Sequence, residues 1–346
     1  MKFYCVVSIV VICCALVMVS GCIQPSDDPT LPNRGFFMGL LPTPAQGQDF
    51  EEVYAQAAQH SEFVPVWSSG AGAEGFWDFS QKLSGWWGET FVEGLIRENG
   101  MFPILHFSFI DRNESGALVL KTPQSLSDAT LSDEEWQTLY VESVLDCVRV
   151  MKPAYVSTGN EVNRWFEAYG TQQGDPNGFQ HFVALHERIY DAVKAVSPNT
   201  KVFCVFSREI VEQYREADMS VLLMFDPSKL DVLMLTSYPY AVSSVNRLSD
   251  IPMDYYVEAS SYLPDLEFGF SELGWSSLEA FGGEESQAEF LLNVSSVLTV
   301  DRGLDLKMFG YCWLHDLDSN DSVGLISYDG VNRQAYEVWM QLSMQT

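Results

Sequence analysis

Two glutamates carry the strongest chemical signal in this chain. Glu161 closes the stretch STGNE at 157–161, and Glu272 closes LEFGFSE at 266–272. Each follows residues that read as a strand running into a loop. Two carboxylates facing one another across a small opening suit glycosidic cleavage: a protonated one gives its proton to the leaving oxygen, and an ionised one attacks carbon or activates water. A separation of about 5 to 5.5 Å would make the reaction retaining. No metal or organic cofactor is needed, and none is expected. Asn160, His106 and Tyr238, each at a strand end, are candidate substrate-binding residues. Trp67, Trp165, Trp275 and Trp313, with Trp86, Trp87 and Tyr240, are candidate platforms, because flat rings stack on the apolar faces of pyranoses whatever the charge of the sugar.

Competing chemistries lack their spacing. Five histidines and no HExxH give no credible zinc set. Ser157 and His106 could be drawn into a triad, but no GxSxG elbow occurs. No GxGxxG or GxxxxGK follows the first predicted strand, so the common nucleotide fingerprints are missing. His315 and Asp316 read better as loop residues beside Asn320.

These residues need a scaffold, and eight short apolar runs supply one. They are GFFMGLLP (35–42), FVPVWS (63–68), MFPILHFSF (101–109), AYVSTGNE (154–161), KVFCVFS (201–207), LDVLMLTSYPY (230–240), LEFGFSELGW (266–275) and LKMFGYCWLHDL (306–317). Near-continuous apolarity marks strands covered on both faces. Helical patterns lie between them, among them DEEWQTLYVESVLDCVRVM, which Ser132 is expected to cap with Glu135 three residues on. Strand then helix, eight times, predicts a (β/α)8 TIM barrel, with a doubly wound sheet as the alternative. Alternation predicts that Phe268, Phe270 and Glu272 share the inward face of strand 7, and that Tyr155, Ser157, Gly159 and Glu161 share one on strand 4. The Gly- and Trp-rich stretch 68–90 is expected over the active face.

The first 22 residues form a separate object. Lys2 precedes an apolar run, and VSGC ends at Cys22. This predicts a signal peptide over 1–21 with a lipobox, lipidation of Cys22, a polar tether over 22–33 and one catalytic barrel over 34–346. The domain is then expected at the extracellular face of the membrane, lipid-anchored; a single N-terminal transmembrane anchor is the alternative. Asp and Glu outnumber Lys and Arg by 47 to 19, a net charge of −28. That field repels nucleic acid and suits a neutral carbohydrate partner. A monomer is expected. Cys147, Cys204 and Cys312 are expected as buried free thiols, and Asn113, Asn293 and Asn320 stand in N-x-Ser sequons.

The pattern resembles the clan of (β/α)8 retaining glycoside hydrolases with Asn-Glu ending strand 4 and Glu ending strand 7. The resemblance implies that Glu161 is the acid/base and Glu272 the nucleophile. It further implies that Asn160 binds the 2-hydroxyl, Tyr238 orients the nucleophile and Trp313 floors the −1 subsite. The chain departs from the clan in two places. Val162 stands where many members have proline. FVPVWSS lacks the arginine often found at the end of strand 2, and Arg34 precedes strand 1. A non-catalytic carbohydrate-binding lipoprotein on the same barrel would keep the aromatic residues and need neither carboxylate; a structural surface protein is a third reading.

Overall fold

The computed structural model describes residues 29–70 and 72–345. The signal segment, Cys22 and the first part of the tether lie outside them. Eight strands build the barrel: β1 (Phe37–Leu41), β2 (Phe63–Trp67), β3 (Phe102–His106), β4 (Tyr155–Ser157), β5 in two pieces (Lys201–Phe203 and Val205–Ser207), β6 (Val232–Ser237), β7 (Glu267–Leu273) and β8 (Leu306–Trp313). All neighbouring pairs are parallel, and β8 returns to β1. The break in β5 falls at Cys204; the first piece pairs with β4 and the second with β6, so the ring closes. Each strand lies within one of the eight predicted runs.

The outer layer comprises α1 (Phe50–Ala57), α2 (Phe79–Leu83), α3 (Glu134–Met151), α4 (Asn163–Tyr169), α5 (Gln180–Val196), α6 (Tyr255–Ser260), α7 (Gly283–Leu292) and α8 (Gln334–Ser343). The strict strand–helix rhythm fails after β5, where 3-10 turns at Met219–Met224 and Pro227–Lys229 replace the helix. Asp218 and Asp226 each cap a turn through their side chains, and Pro227 cannot continue a helix begun upstream. The cap of α3 is also one residue later than predicted. Asp133, not Ser132, accepts from the Glu135 and Trp136 amides at 2.9 and 3.1 Å.

Stretch 68–90 is anchored by its aromatic residues. Phe76 and Phe79 are buried, and the Phe76 ring meets Trp136 and Tyr140 of α3. Cys147, Cys204 and Cys312 are buried free thiols. Among the described residues no helix is long and apolar enough to cross a membrane.

Candidate active site

At the rim the regular pairing breaks three times, each time beside a residue with chemical potential. Val205 donates to the Gly159 carbonyl and accepts from the Val162 amide. Two residues, Asn160 and Glu161, therefore stand opposite one. Glu161 takes up the extra length in a left-handed conformation, φ 48°, which costs a non-glycine residue on the order of 1 kcal/mol or more.

The second break is between β6 and β7. Leu235 pairs with Phe270 but Thr236 pairs with Glu272, so Ser271 is extra. The third is between β1 and β8, where Leu40 pairs with Tyr311 and Leu41 with Trp313, leaving Cys312 over. These irregularities correct the parity expected for β7. Phe268 and Phe270 face outward, against Tyr256 of α6. Phe309 and Tyr311 likewise meet Trp339 of α8. Uninterrupted alternation would send Glu272 and Trp313 outward with them. One extra residue before each turns it to the mouth.

The two carboxylates then meet different surroundings. Glu161 Oε1 accepts from Thr236 Oγ1 at 2.8 Å, and its other oxygen lies 2.7 Å from Arg164 Nε. Arg164, on the first turn of α4, also reaches Glu212 at 2.6 Å, and Arg112 reaches the same carboxylate. Glu272 Oε2 accepts from the Tyr238 hydroxyl at 2.8 Å. Burial first, and then the Glu161 charge, push Glu272 up to about 7, against the Tyr238 hydrogen bond and Arg164. Tyr238 is held well above the usual phenol range by burial and by the Glu272 charge, so its proton stays in place to donate. Gly274 makes room for that ring, since a Cβ there would stand 2.7 Å from it.

Asn160 lines a cleft of about 270 Å3 with Glu161, Arg164, Ser108 and Arg112. A second cleft of about 500 Å3 continues past Arg112 and Arg164 to Glu167, Tyr169 and Glu212. The Asn160 Oδ1 atom is buried without a protein partner, and so is His106 Nδ1. Orphans of this kind are uncommon in folded proteins. Burial pushes His106 down to about 3, and its ring stacks on Trp67 with centroids 4.6 Å apart. Trp313 is half-buried, its Nε1 fixed by Asp321 at 2.8 Å. A further cavity, of about 310 Å3, opens at the opposite end of the barrel beside Phe37, Tyr155, Lys201 and Glu267.

Two expected platforms are core residues instead. Trp165 is 1% exposed, donates to Asn177 O and stacks on Tyr169. Trp275 is fully buried, donates to Phe281 O and packs near Phe290. With both ring faces covered, neither can receive a sugar. Arg34 pairs with Glu62 and donates to Ser343 O, beside the strand starts and away from the mouth. His315 and Asp316 brace the loop after β8 through Thr43 and Arg333. Three contributors had no sequence signal of their own: Thr236, Glu212 and the buried Glu209, which accepts from Tyr238 N. Among the described residues no group of three or more His, Cys, Asp or Glu is placed to hold a metal ion.

Solved structures that share this architecture include several glycosidases. The beta-glycosidase BGL167 superposes with a TM-score of 0.58 at 14% identity, over 85% of each chain. A GH5_18 protein from Streptomyces cattleya in complex with Manb1-4GlcNAc gives 0.58 at 14%, over 89% of this chain and 80% of that one. A Bifidobacterium dentium beta-glucuronidase complexed with coumarin-3-O-glucuronide gives 0.55 at 10%, over 89% and 46%. The fold is shared. At such identities the likeness speaks for the fold alone. No family model matches the sequence, and no curated protein does.

Proposed function

We propose that the protein is a retaining glycoside hydrolase acting on β-linked, neutral oligo- or polysaccharides. The observation that carries this reading is the carboxylate pair on the ends of β4 and β7, each turned to the mouth by a strand irregularity and near enough for the Glu161 charge to act on Glu272. Glu272 attacks the anomeric carbon while Glu161 protonates the leaving oxygen. Glu161 then takes a proton from the water that releases the sugar. The Asn160 and His106 orphans offer hydrogen-bonding atoms to sugar hydroxyls, and Trp67 and Trp313 offer ring surface.

A neutral substrate fits best. Both arginines at the mouth, Arg112 and Arg164, are already engaged by Glu212. Turnover of aryl β-glycosides and a β-glycan panel, with the anomeric configuration of the first product followed by NMR, tests the proposal. Absence of turnover throughout, or an inverted first product, defeats it. We place the protein at the extracellular face of the cell membrane, anchored through lipid on Cys22. Membrane association that survives Cys22→Ser, without labelling by a fatty-acid probe, would remove that part of the reading.

A further inference from the structure

Glu209 lies just beyond the second piece of β5, is 1% exposed and has no place in the steps above. Its Oε1 accepts from Ser237 Oγ and Tyr255 OH, both at 2.8 Å, and its Oε2 accepts from Tyr238 N at 2.7 Å. The adjacent Arg208 turns away to Glu216 and Glu258. The carboxylate is thus held by three donors and no direct ion pair. One donor matters more than the others, because a hydroxyl can rotate to another acceptor and a backbone amide cannot. That amide belongs to Tyr238, whose hydroxyl is 2.8 Å from Glu272.

We propose that Glu209 is a positioning residue for the nucleophile: by fixing the Tyr238 backbone it sets the hydrogen bond that Tyr238 makes to Glu272. The inference rests on the glycosidase reading for its catalytic meaning, although the tether itself is independent of activity. Burial pushes Glu209 up to about 7, so much of it is protonated at neutral pH. A glutamine should therefore serve nearly as well, its oxygen accepting from Tyr238 N and its amide donating to the two hydroxyl oxygens.

The test compares Glu209→Gln, Glu209→Leu, Tyr238→Phe and the Glu209→Leu/Tyr238→Phe double variant on an aryl β-glycoside. Glu209→Leu should lose about 10- to 100-fold in kcat with little change in KM, the mark of an interaction made in the transition state. Its acid limb should move to higher pH, because the Tyr238 bond, together with Arg164, holds Glu272 down against burial and the Glu161 charge. Glu209→Gln should restore most of the turnover. The double variant should be no slower than the slower single variant, because both act through one contact.

Additive losses, or an unchanged kcat in folded Glu209→Leu, overturn the proposal. If Glu209→Leu does not fold, Gly274→Ala displaces the Tyr238 ring without touching Glu209; full kcat there overturns it equally. A crystal structure of Glu209→Leu supplies the readout that needs no turnover. A Tyr238–Glu272 separation beyond about 3.5 Å supports the tether, and an unchanged one removes it. Should Tyr238→Phe and Glu272→Gln both keep full turnover, the glycosidase reading fails instead.

Discussion

The two sides of the mouth solve the same problem by opposite means. On the Glu161 side, charge is met with charge: Arg164 stands between Glu161 and Glu212, and Arg112 adds to Glu212 from the rim, where that carboxylate is half exposed. Burial tends to raise Glu212, but a hydrogen bond from its own backbone and then Arg164 outweigh it, and it lies below the usual range. On the Glu272 side there is no such cation in contact. One phenol hydroxyl faces the half-buried carboxylate, and burial wins. Ion pairs that run out to a half-exposed rim carboxylate hold that side by charge. A hydrogen bond from a buried phenol fixes geometry at the expense of ionisation. The difference holds Glu272 still but favours its protonated form, so Glu272 must give up its proton before it attacks.

Removing the Glu272 carboxylate should do the most damage. Glu272→Gln is expected to lower kcat by more than about 10³-fold on every substrate, since no other group can form the covalent intermediate. Glu161→Gln should cost a similar factor on unactivated glycans but much less, in the burst of first product, on glycosides with a strongly acidic phenol leaving group, which departs without a proton. Rapid-mix measurement of both variants on both substrates checks this. Equal losses everywhere would mean that the two sides are not divided as described.

The tryptophans give the next contrast. Trp165→Ala should destabilise the fold by about 3 to 5 kcal/mol in urea unfolding, as for other large buried aromatics, and should affect turnover only through folding. Trp313→Ala should leave the unfolding midpoint nearly in place and raise KM. A reversed pattern would return Trp165 to the substrate and Trp313 to the core.

That contrast shows where the sequence was legible. All eight strands could be read, because strands covered on both faces are apolar throughout and need no parity. Glu161 and Glu272 could be read because a polar residue at the end of such a run stands out. The orientation of each side chain could not. Glu272 was expected inward because Phe268 and Phe270 were; it is inward because Ser271 is supernumerary. Trp165 and Trp275 have the composition of platforms, and only tertiary contacts reveal that both faces are covered. Glu209 gives no signal at all, because its donors come from β6 and α6, distant in sequence. The helix expected after β5 gave way to capped 3-10 turns at two aspartates.

A subtler difference between the sides is linkage to pH. Glu272 and Glu209 sit at about 7 in the fold against an ordinary 4.5. The fold prefers their protonated forms, so their contribution is full below about 4.5 and is lost as pH rises to about 7. Glu212 runs the other way: its contribution is present above the ordinary carboxylate value and lost as pH falls through its lower folded value. Denaturant unfolding at pH 5 and pH 8 should therefore show Glu272→Gln gaining on the parent at the higher pH, by on the order of 1 to 3 kcal/mol. An unchanged difference between the two pH values would show that burial does not favour the protonated form of Glu272.

The smallest expected effect separates the sides by salt. Arg112 and Glu212 are about half exposed, at 45% and 50% of their side-chain surface. An exposed pair is worth roughly 0 to 1 kcal/mol and is screened by ions. Arg112→Ala should shift unfolding by no more than that at low salt and by nothing measurable in about 1 M salt, where the screening length is near 3 Å. Tyr238→Phe removes a hydrogen bond on the Glu272 side, and its effect on unfolding should be the same at both salt concentrations. If the Arg112→Ala effect persisted in high salt, the rim arginine would be holding geometry rather than charge, and the solvated side would have to be redrawn as a second rigid wall.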